Sequence, residues 1–259
     1  MSNWDSAAED YARSFAKLCA GAIPAVLGAV VDAPGRHLLD AGCGTGELAG
    51  SAHDAGFDVI GVDSAREMLA VASARHPGIR FTEGDLLRLP FPAASFDAVT
   101  ANFVVNHTPD PRGSLRELRR VLVAGGVSAV TVWPYRASEL NMLWGDVIAR
   151  SGAIAPPIVR LPPEKDFERT VAGLTSLLVE AGFDVAAAHE FEVSFDVAPD
   201  DLWAGAEAGM ARIGAAYLAQ DFEMRRAMTA SFRELIESRS FGGLLTFTST
   251  ALMATGRNR

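Results

Sequence analysis

Leu38-Leu39-Asp40-Ala41-Gly42-Cys43-Gly44-Thr45-Gly46 decides how the rest of the chain is read. Two apolar residues lead into an acid, and glycine then falls at every second position. The run reads as a buried strand ending in a tight turn that opens a helix. A Cβ at those glycines would hold the backbone away from a ligand lying across the turn. Asp40, at the strand's end, is placed to meet a positive group. The spacing departs from the dinucleotide pattern G-x-G-x-x-G, because Glu47 stands where the third glycine should be.

Outward from this stretch the pattern repeats. Residues 57–63 read as a second strand ending in Asp63, and Ser64 and Glu67 suggest a capped helix over residues 65–75. Residues 79–85 read as a third strand ending in Asp85, and residues 96–102 as a fourth ending in Asn102. A helix is expected over residues 111–122. Gly125-Gly126 then turns into a fifth strand over 127–133. Strands alternating with helices through short links imply a parallel sheet covered on both faces. Upstream, Trp4, Ala8, Tyr11, Phe15 and Leu18 recur at helical spacing, with Asp5 off that face, and a second helix is expected over 22–31.

Beyond Trp133 the regularity breaks into a stretch rich in proline and glycine, with a helical piece around 139–150. A helix over 170–181 is followed by one long strand or a strand pair over 183–197. One helix carries Leu202, Trp203, Ala206, Met210, Ile213 and Tyr217 on a side, another runs over 221–239, and a last strand spans 244–256.

The chain has 259 residues, 49% of them hydrophobic, enough for one α/β domain with an insertion. Its formal charge is −9, from 23 basic and 32 acidic residues, and no Lys/Arg cluster stands out; this argues against a nucleic-acid partner. The two cysteines, Cys19 and Cys43, read as free thiols, since Cys43 lies inside the glycine turn. The first residues lack a basic and apolar leader, and 22–31 is too short for a membrane span. A soluble cytoplasmic protein with no transmembrane segment is expected.

D-x-G-x-G-x-G resembles motif I of the class I S-adenosylmethionine (SAM)-dependent methyltransferases, of the small-molecule, UbiE-like type. The resemblance covers residues 38–133. It extends to Phe96-Asp97-Ala98-Val99 and to Arg119-Arg120-Val121-Leu122-Val123-Ala124-Gly125-Gly126, which is near R-V-L-x-P-G-G with Ala124 in place of proline. It implies a Rossmann-like doubly wound α/β sheet of order 3-2-1-4-5-7-6, with the last strand antiparallel beside the fifth, plus N-terminal helices and a helical cap insertion. The whole chain is then one domain: lid helices at 1–34, a SAM-binding core at 35–133, and variable acceptor-binding segments at 134–170 and 198–242.

Position by position, the resemblance implies that Asp63 accepts hydrogen bonds from the two ribose hydroxyls. Asp85 accepts from the adenine amine, the N–H of Leu86 meets a ring nitrogen, and Met68 covers one adenine face. Backbone carbonyls of Gly42 and Asn102, with Asp40 nearby, suit the donor's ammonium, and Gly44 and Gly46 complete the bend. Tyr11 is placed against the sulfonium. His107, five residues past Asn102, is the candidate base; its other readings are a solvated loop histidine or a cap on the next helix.

The expected reaction is metal-independent, in-line transfer of a methyl group from SAM to a small organic acceptor at oxygen, nitrogen or carbon, leaving S-adenosylhomocysteine. Asn102-Phe103-Val104-Val105 is not the [DN]-P-P-[YF] tetrad of adenine and glutamine N-methyltransferases. Neither cysteine suits pyrimidine C5 or arsenite chemistry, and Asn102 argues against the magnesium-dependent catechol type. Tyr11, Phe15, Trp133, Tyr135, Met142, Trp144, Trp203, Met210 and Tyr217 are candidate walls for an aromatic or apolar acceptor, with plain core packing as the alternative. Two other readings stand beside this one. A nicotinamide-dependent oxidoreductase is opposed by Glu47 and by the lack of lysine four positions after any of the 3 tyrosines. A protein that binds SAM without methyl transfer, or turns the fold to another reaction, is the second.

Overall fold

The structure is a computed structural model that describes residues 7–158, 160–237, 239 and 242–259. The chain begins with α1 (Ala8–Arg13), α2 (Phe15–Ala20) and α3 (Ile23–Val30). Strand and helix then alternate through β1 (His37–Ala41), α4 (Glu47–Asp54), β2 (Asp58–Asp63), α5 (Arg66–Arg75) and β3 (Arg80–Glu83). Next come β4 (Phe96–Asn102), a 3-10 turn (Val105–His107), α6 (Pro111–Val121) and β5 (Leu122–Val132). The remainder is α7 (Glu139–Ser151), α8 (Val171–Glu180), β6 (Asp184–Val197), α9 (Pro199–Glu207), α10 (Ala211–Leu218), α11 (Phe222–Ile236) and β7 (Leu245–Arg257).

The seven strands form one sheet of order β3-β2-β1-β4-β5-β7-β6. β1 pairs in parallel with β2 and β4, and β4 with β5, while β5 and β7 run antiparallel. Order and strand sense are those expected. By internal contact, Ala22–Tyr135, Arg160–Phe191 and Thr250–Arg259 make one unit, and Met1–Gly21, Arg136–Val159 and Glu192–Ser249 make another.

In the first of these units a core cluster packs on one face of the central strands. Leu39, Val99, Val130 and Leu252 lie within it, with Leu115 and Leu118 of α6 and Leu122 at the start of β5. Leu174, Leu177 and Leu178 of α8 add to the same core, and α6 packs on α8. In the other unit, Trp203 stacks on Phe232 with ring centroids 4.8 Å apart, and Trp144 stacks on Phe232 at 5.7 Å. Such ring pairs contribute beyond their buried area. Trp144, Trp203 and Met210, candidate walls by sequence, are all buried and serve as this unit's core.

Several boundaries differ from the expectation. The N-terminal helix is two: Ser14 sits at φ −117, ψ −93, and its hydroxyl and amide both turn back on the Asp10 carbonyl. A serine that bonds to backbone in this way competes with helix propagation. Trp4 and Asp5, assigned to that helix, lie outside the described residues. The long helix after Asp200 also divides. Gly209, at φ +86, donates to the Ala206 carbonyl, and the Met210 amide reaches Gly205, a Schellman ending. β5 starts at Leu122, five residues early. Gly125 and Gly126 form an irregularity where the pairing jumps from Phe96–Leu122 to Ala98–Val127. The 183–197 stretch is one strand, β6.

Candidate functional site

Asp40 is the penultimate residue of β1 and 1% exposed. Its Oδ1 accepts a hydrogen bond from the Thr100 hydroxyl on β4 at 3.0 Å, and its Oδ2 has no partner among the described residues. Burial pushes its pKa up to about 7 against the opposing pull of Thr100, and the charges of Asp63 and Glu47 push the same way. A buried carboxylate oxygen with nothing to accept is costly in a finished core. It suits a position that meets a cationic ligand.

The bend that follows is set by its backbone. Gly42 lies at φ +70, and a Cβ there would come 2.3 Å from Val104 Cγ2, so only glycine fits. The amides of Gly42 and Cys43 both donate to the Val62 carbonyl, at 2.7 and 3.0 Å. The amide of Gly44 donates to Asp63 Oδ2 at 2.9 Å. Gly46 is the residue from which α4 starts. Glu47, the residue that broke the dinucleotide pattern, has a mechanical role. It accepts from the Thr45 hydroxyl at 2.7 Å and from Arg75 Nη1 of α5 at 3.0 Å, fastening the end of the bend.

Asp63 ends β2 as expected. Its second oxygen, Oδ1, accepts from the Ala65 amide at 3.0 Å, so the acid joins the glycine bend to the start of α5. This also explains why Ser64 does not cap that helix: no side-chain cap bond is made, and Asp63 takes the turn. Met68, in the first turns of α5, is buried.

The third acid is displaced from its expected place. β3 stops at Glu83, and Asp85 lies two residues beyond it, exposed, with Oδ1 accepting from the Leu87 amide at 2.9 Å. The Arg88 amide closes the same turn on the Asp85 carbonyl, and local turn chemistry of this kind ends strands. Leu86 beside it is buried.

Asn102 ends β4, and its Oδ1 accepts from the Thr131 hydroxyl at 2.6 Å. Thr131 also holds the next residue: the Phe103 amide donates to its carbonyl at 3.1 Å and its hydroxyl at 3.0 Å. Phe103 sits at φ +56, a conformation that bulky side chains avoid. Its ring stacks flat on Trp133, with centroids 3.8 Å apart and an interplanar angle of 1°. The strain is therefore held by one threonine of β5 and the indole that follows the strand.

His107 closes the 3-10 turn, its amide donating to the Val104 carbonyl at 2.8 Å. Protein crowds the ring although solvent reaches the residue. That crowding, and then the Arg169 charge, lower its pKa, so it is neutral at neutral pH. It does not cap the next helix: Asp110 does, accepting from the Gly113 amide at 3.0 Å.

The sequence reading missed Thr100, Thr131, Phe103 and Arg169. A threonine in a strand is common, so neither threonine carries a signal of its own. Tyr11 lies on α1, in the other unit from the bend and the strand-end residues.

Residues 39–130 match a family model described as a methyltransferase domain. A demethylmenaquinone methyltransferase of Thermus thermophilus is 43% identical over 169 residues, which are 58% of this chain and 75% of that protein. The enzyme of the same name from Renibacterium salmoninarum is 42% identical over 101 residues, 39% of this chain and 43% of that protein. The chain spans about half the length, or less, of several such curated relatives. A solved S-adenosylmethionine dependent methyltransferase from Mesorhizobium loti shares the fold, with a TM-score of 0.52 at 20% identity over 92% of this chain and 97% of that one. The sheet order, the glycine bend and the Thermus match meet in one conclusion: the chain belongs to the class I SAM-dependent methyltransferases.

Proposed function

We propose that this protein transfers a methyl group from SAM to a small organic acceptor. The observation that carries the reading is the bend at Gly42–Gly46 set between two carboxyl groups, with the buried Asp40 Oδ2 lacking a partner among the described residues and a Cβ-free backbone at Gly42. That set fits the donor: Asp40 and nearby carbonyls of Gly42 and Asn102 suit its ammonium. Asp63 suits the vicinal hydroxyls of its ribose. Gly44 and Gly46 keep the bend clear of side chains, Met68 covers an adenine face, and Asp85 and the Leu86 amide take the adenine edge. Bound SAM supplies an electrophilic methyl on a positively charged sulfur.

The residues of this chain then have two tasks, to align the nucleophile and to take its proton. His107 is the base. Its lowered pKa keeps the ring neutral and able to accept a proton from an acceptor hydroxyl. The names of the relatives support an acceptor of the quinone type, a flat ring bearing hydroxyl groups in its reduced form. Incubating the purified chain with methyl-labelled SAM and a panel of hydroxynaphthalenes, hydroquinones and catechols tests this. Label is expected in at least one hydroxyaromatic. Saturable binding of SAM with no transfer to any member would leave a SAM-binding protein of another kind.

A further inference from the structure

We propose that Arg169 is the acceptor-recognition residue, a fixed guanidinium that meets an ionised oxygen on an aromatic acceptor. This rests on the methyl-transfer reading and adds the charge of the substrate to it. Arg169 precedes α8, sixty-two positions after His107, and its side chain is only 10% exposed. The guanidinium lies over the Phe167 ring at 4.4 Å and over the Tyr135 ring at 5.0 Å, so two aromatic faces fix its orientation. Arg160 stands over the Tyr135 ring as well, at 5.5 Å.

Its ion-pair partner, Asp166, spends its hydrogen bonds elsewhere. Asp166 Oδ1 accepts from the Phe167 amide at 2.9 Å, and Oδ2 accepts from the Tyr135 hydroxyl at 3.1 Å. Arg169 Nη2 stands 3.6 Å from Asp166 Oδ1, beyond hydrogen-bond reach. Its Nε is buried with no partner among the described residues. A desolvated guanidinium with an unused donor is expensive unless something else completes its shell. A carboxylate or phenolate does so, since the planar fork matches such oxygens. The segment is also held in place: Arg112 Nη1 of α6 donates to the carbonyls of Lys165 and Asp166 at 3.2 and 3.0 Å. Tyr135 follows the end of β5, at the sheet edge where Asn102 ends β4 and Phe103 stacks on Trp133, so the arginine over the Tyr135 ring belongs to that same edge, and its charge is felt at His107.

The test uses the full chain saturated with S-adenosylhomocysteine and two probes, 1,4-dihydroxy-2-naphthoate and its neutral 2-carboxamide, titrated by calorimetry. The carboxylate is expected to bind at least tenfold more tightly. Arg169→Met abolishes that preference while S-adenosylhomocysteine binds as in the wild type, and Arg169→Lys keeps part of it. Equal affinity for the two probes in the wild type, binding of neither, or a preference that survives Arg169→Met overturns the proposal. A wild-type chain that fails to bind S-adenosylhomocysteine removes the methyl-transfer reading itself, which the first titration reveals separately.

Discussion

The carboxyl of Asp40 meets protein on every side, and its proton affinity shows it: the pKa stands at about 7 where an aspartate has 3.8. An acid whose folded pKa is raised binds more protons folded than unfolded between those two values. Stability therefore falls as pH rises from about 4 to about 7, and the full cost is present above that. Asp40→Asn is expected to raise stability relative to the wild type by about 1–3 kcal/mol at pH 8 and by little at pH 4.5, in parallel urea melts. An equal effect at both pH values would mean that Asp40 is not held in this way. Asp63 accepts a backbone amide hydrogen bond on each of its oxygens. Asp63→Ala is expected to weaken SAM binding by roughly tenfold to a hundredfold, the loss of about 1.5–3 kcal/mol of charge-assisted hydrogen bonding. Unchanged calorimetric affinity would remove the ribose role.

At the scale of elements, helix endings were the part of the sequence most often misread. The break between α9 and α10 was legible, because Gly209 sits in a run that otherwise reads as one amphipathic stripe. The apolar spacing of Trp203, Met210 and Tyr217 outweighed it. Ser14 gave no such warning, since a lone serine in a helical pattern is ordinary. The strand ends divided by mechanism. Asp63 and Asn102 end β2 and β4 because apolar runs stop there, whereas Asp85 makes its own turn after β3 has ended. Two glycines separate conformation from propensity. Gly209→Ala places a side chain at φ +86 and within 2.7 Å of Leu218 Cδ1, and should cost about 1–3 kcal/mol. Gly145→Ala, inside α7 with open space around it, should stabilise by roughly 0.5–1 kcal/mol. Thermal melts of the two variants are expected to move in opposite directions; a shared direction would contradict the assigned backbone.

For the whole molecule, the alternation of strands and helices over residues 38–133 made a parallel sheet legible, and the full strand order followed from the family resemblance that the glycine bend carries. The remainder was not, since the site depends on contacts distant in sequence: Thr131 holding Asn102 and Phe103, and Arg169 acting on His107. No described helix is long and apolar enough to cross a membrane. His107→Ala is expected to lower turnover tenfold or more while leaving SAM affinity within twofold, measured by initial rates and calorimetry on the same preparation. Unaltered turnover would make the histidine structural. The account as a whole stands on donor binding, and titration of the purified wild-type chain with S-adenosylhomocysteine, beside NADH as a control, tests it most directly. Saturable one-site binding of the thioether and no heat from NADH is the predicted result; saturation by NADH with none by S-adenosylhomocysteine or SAM would contradict it.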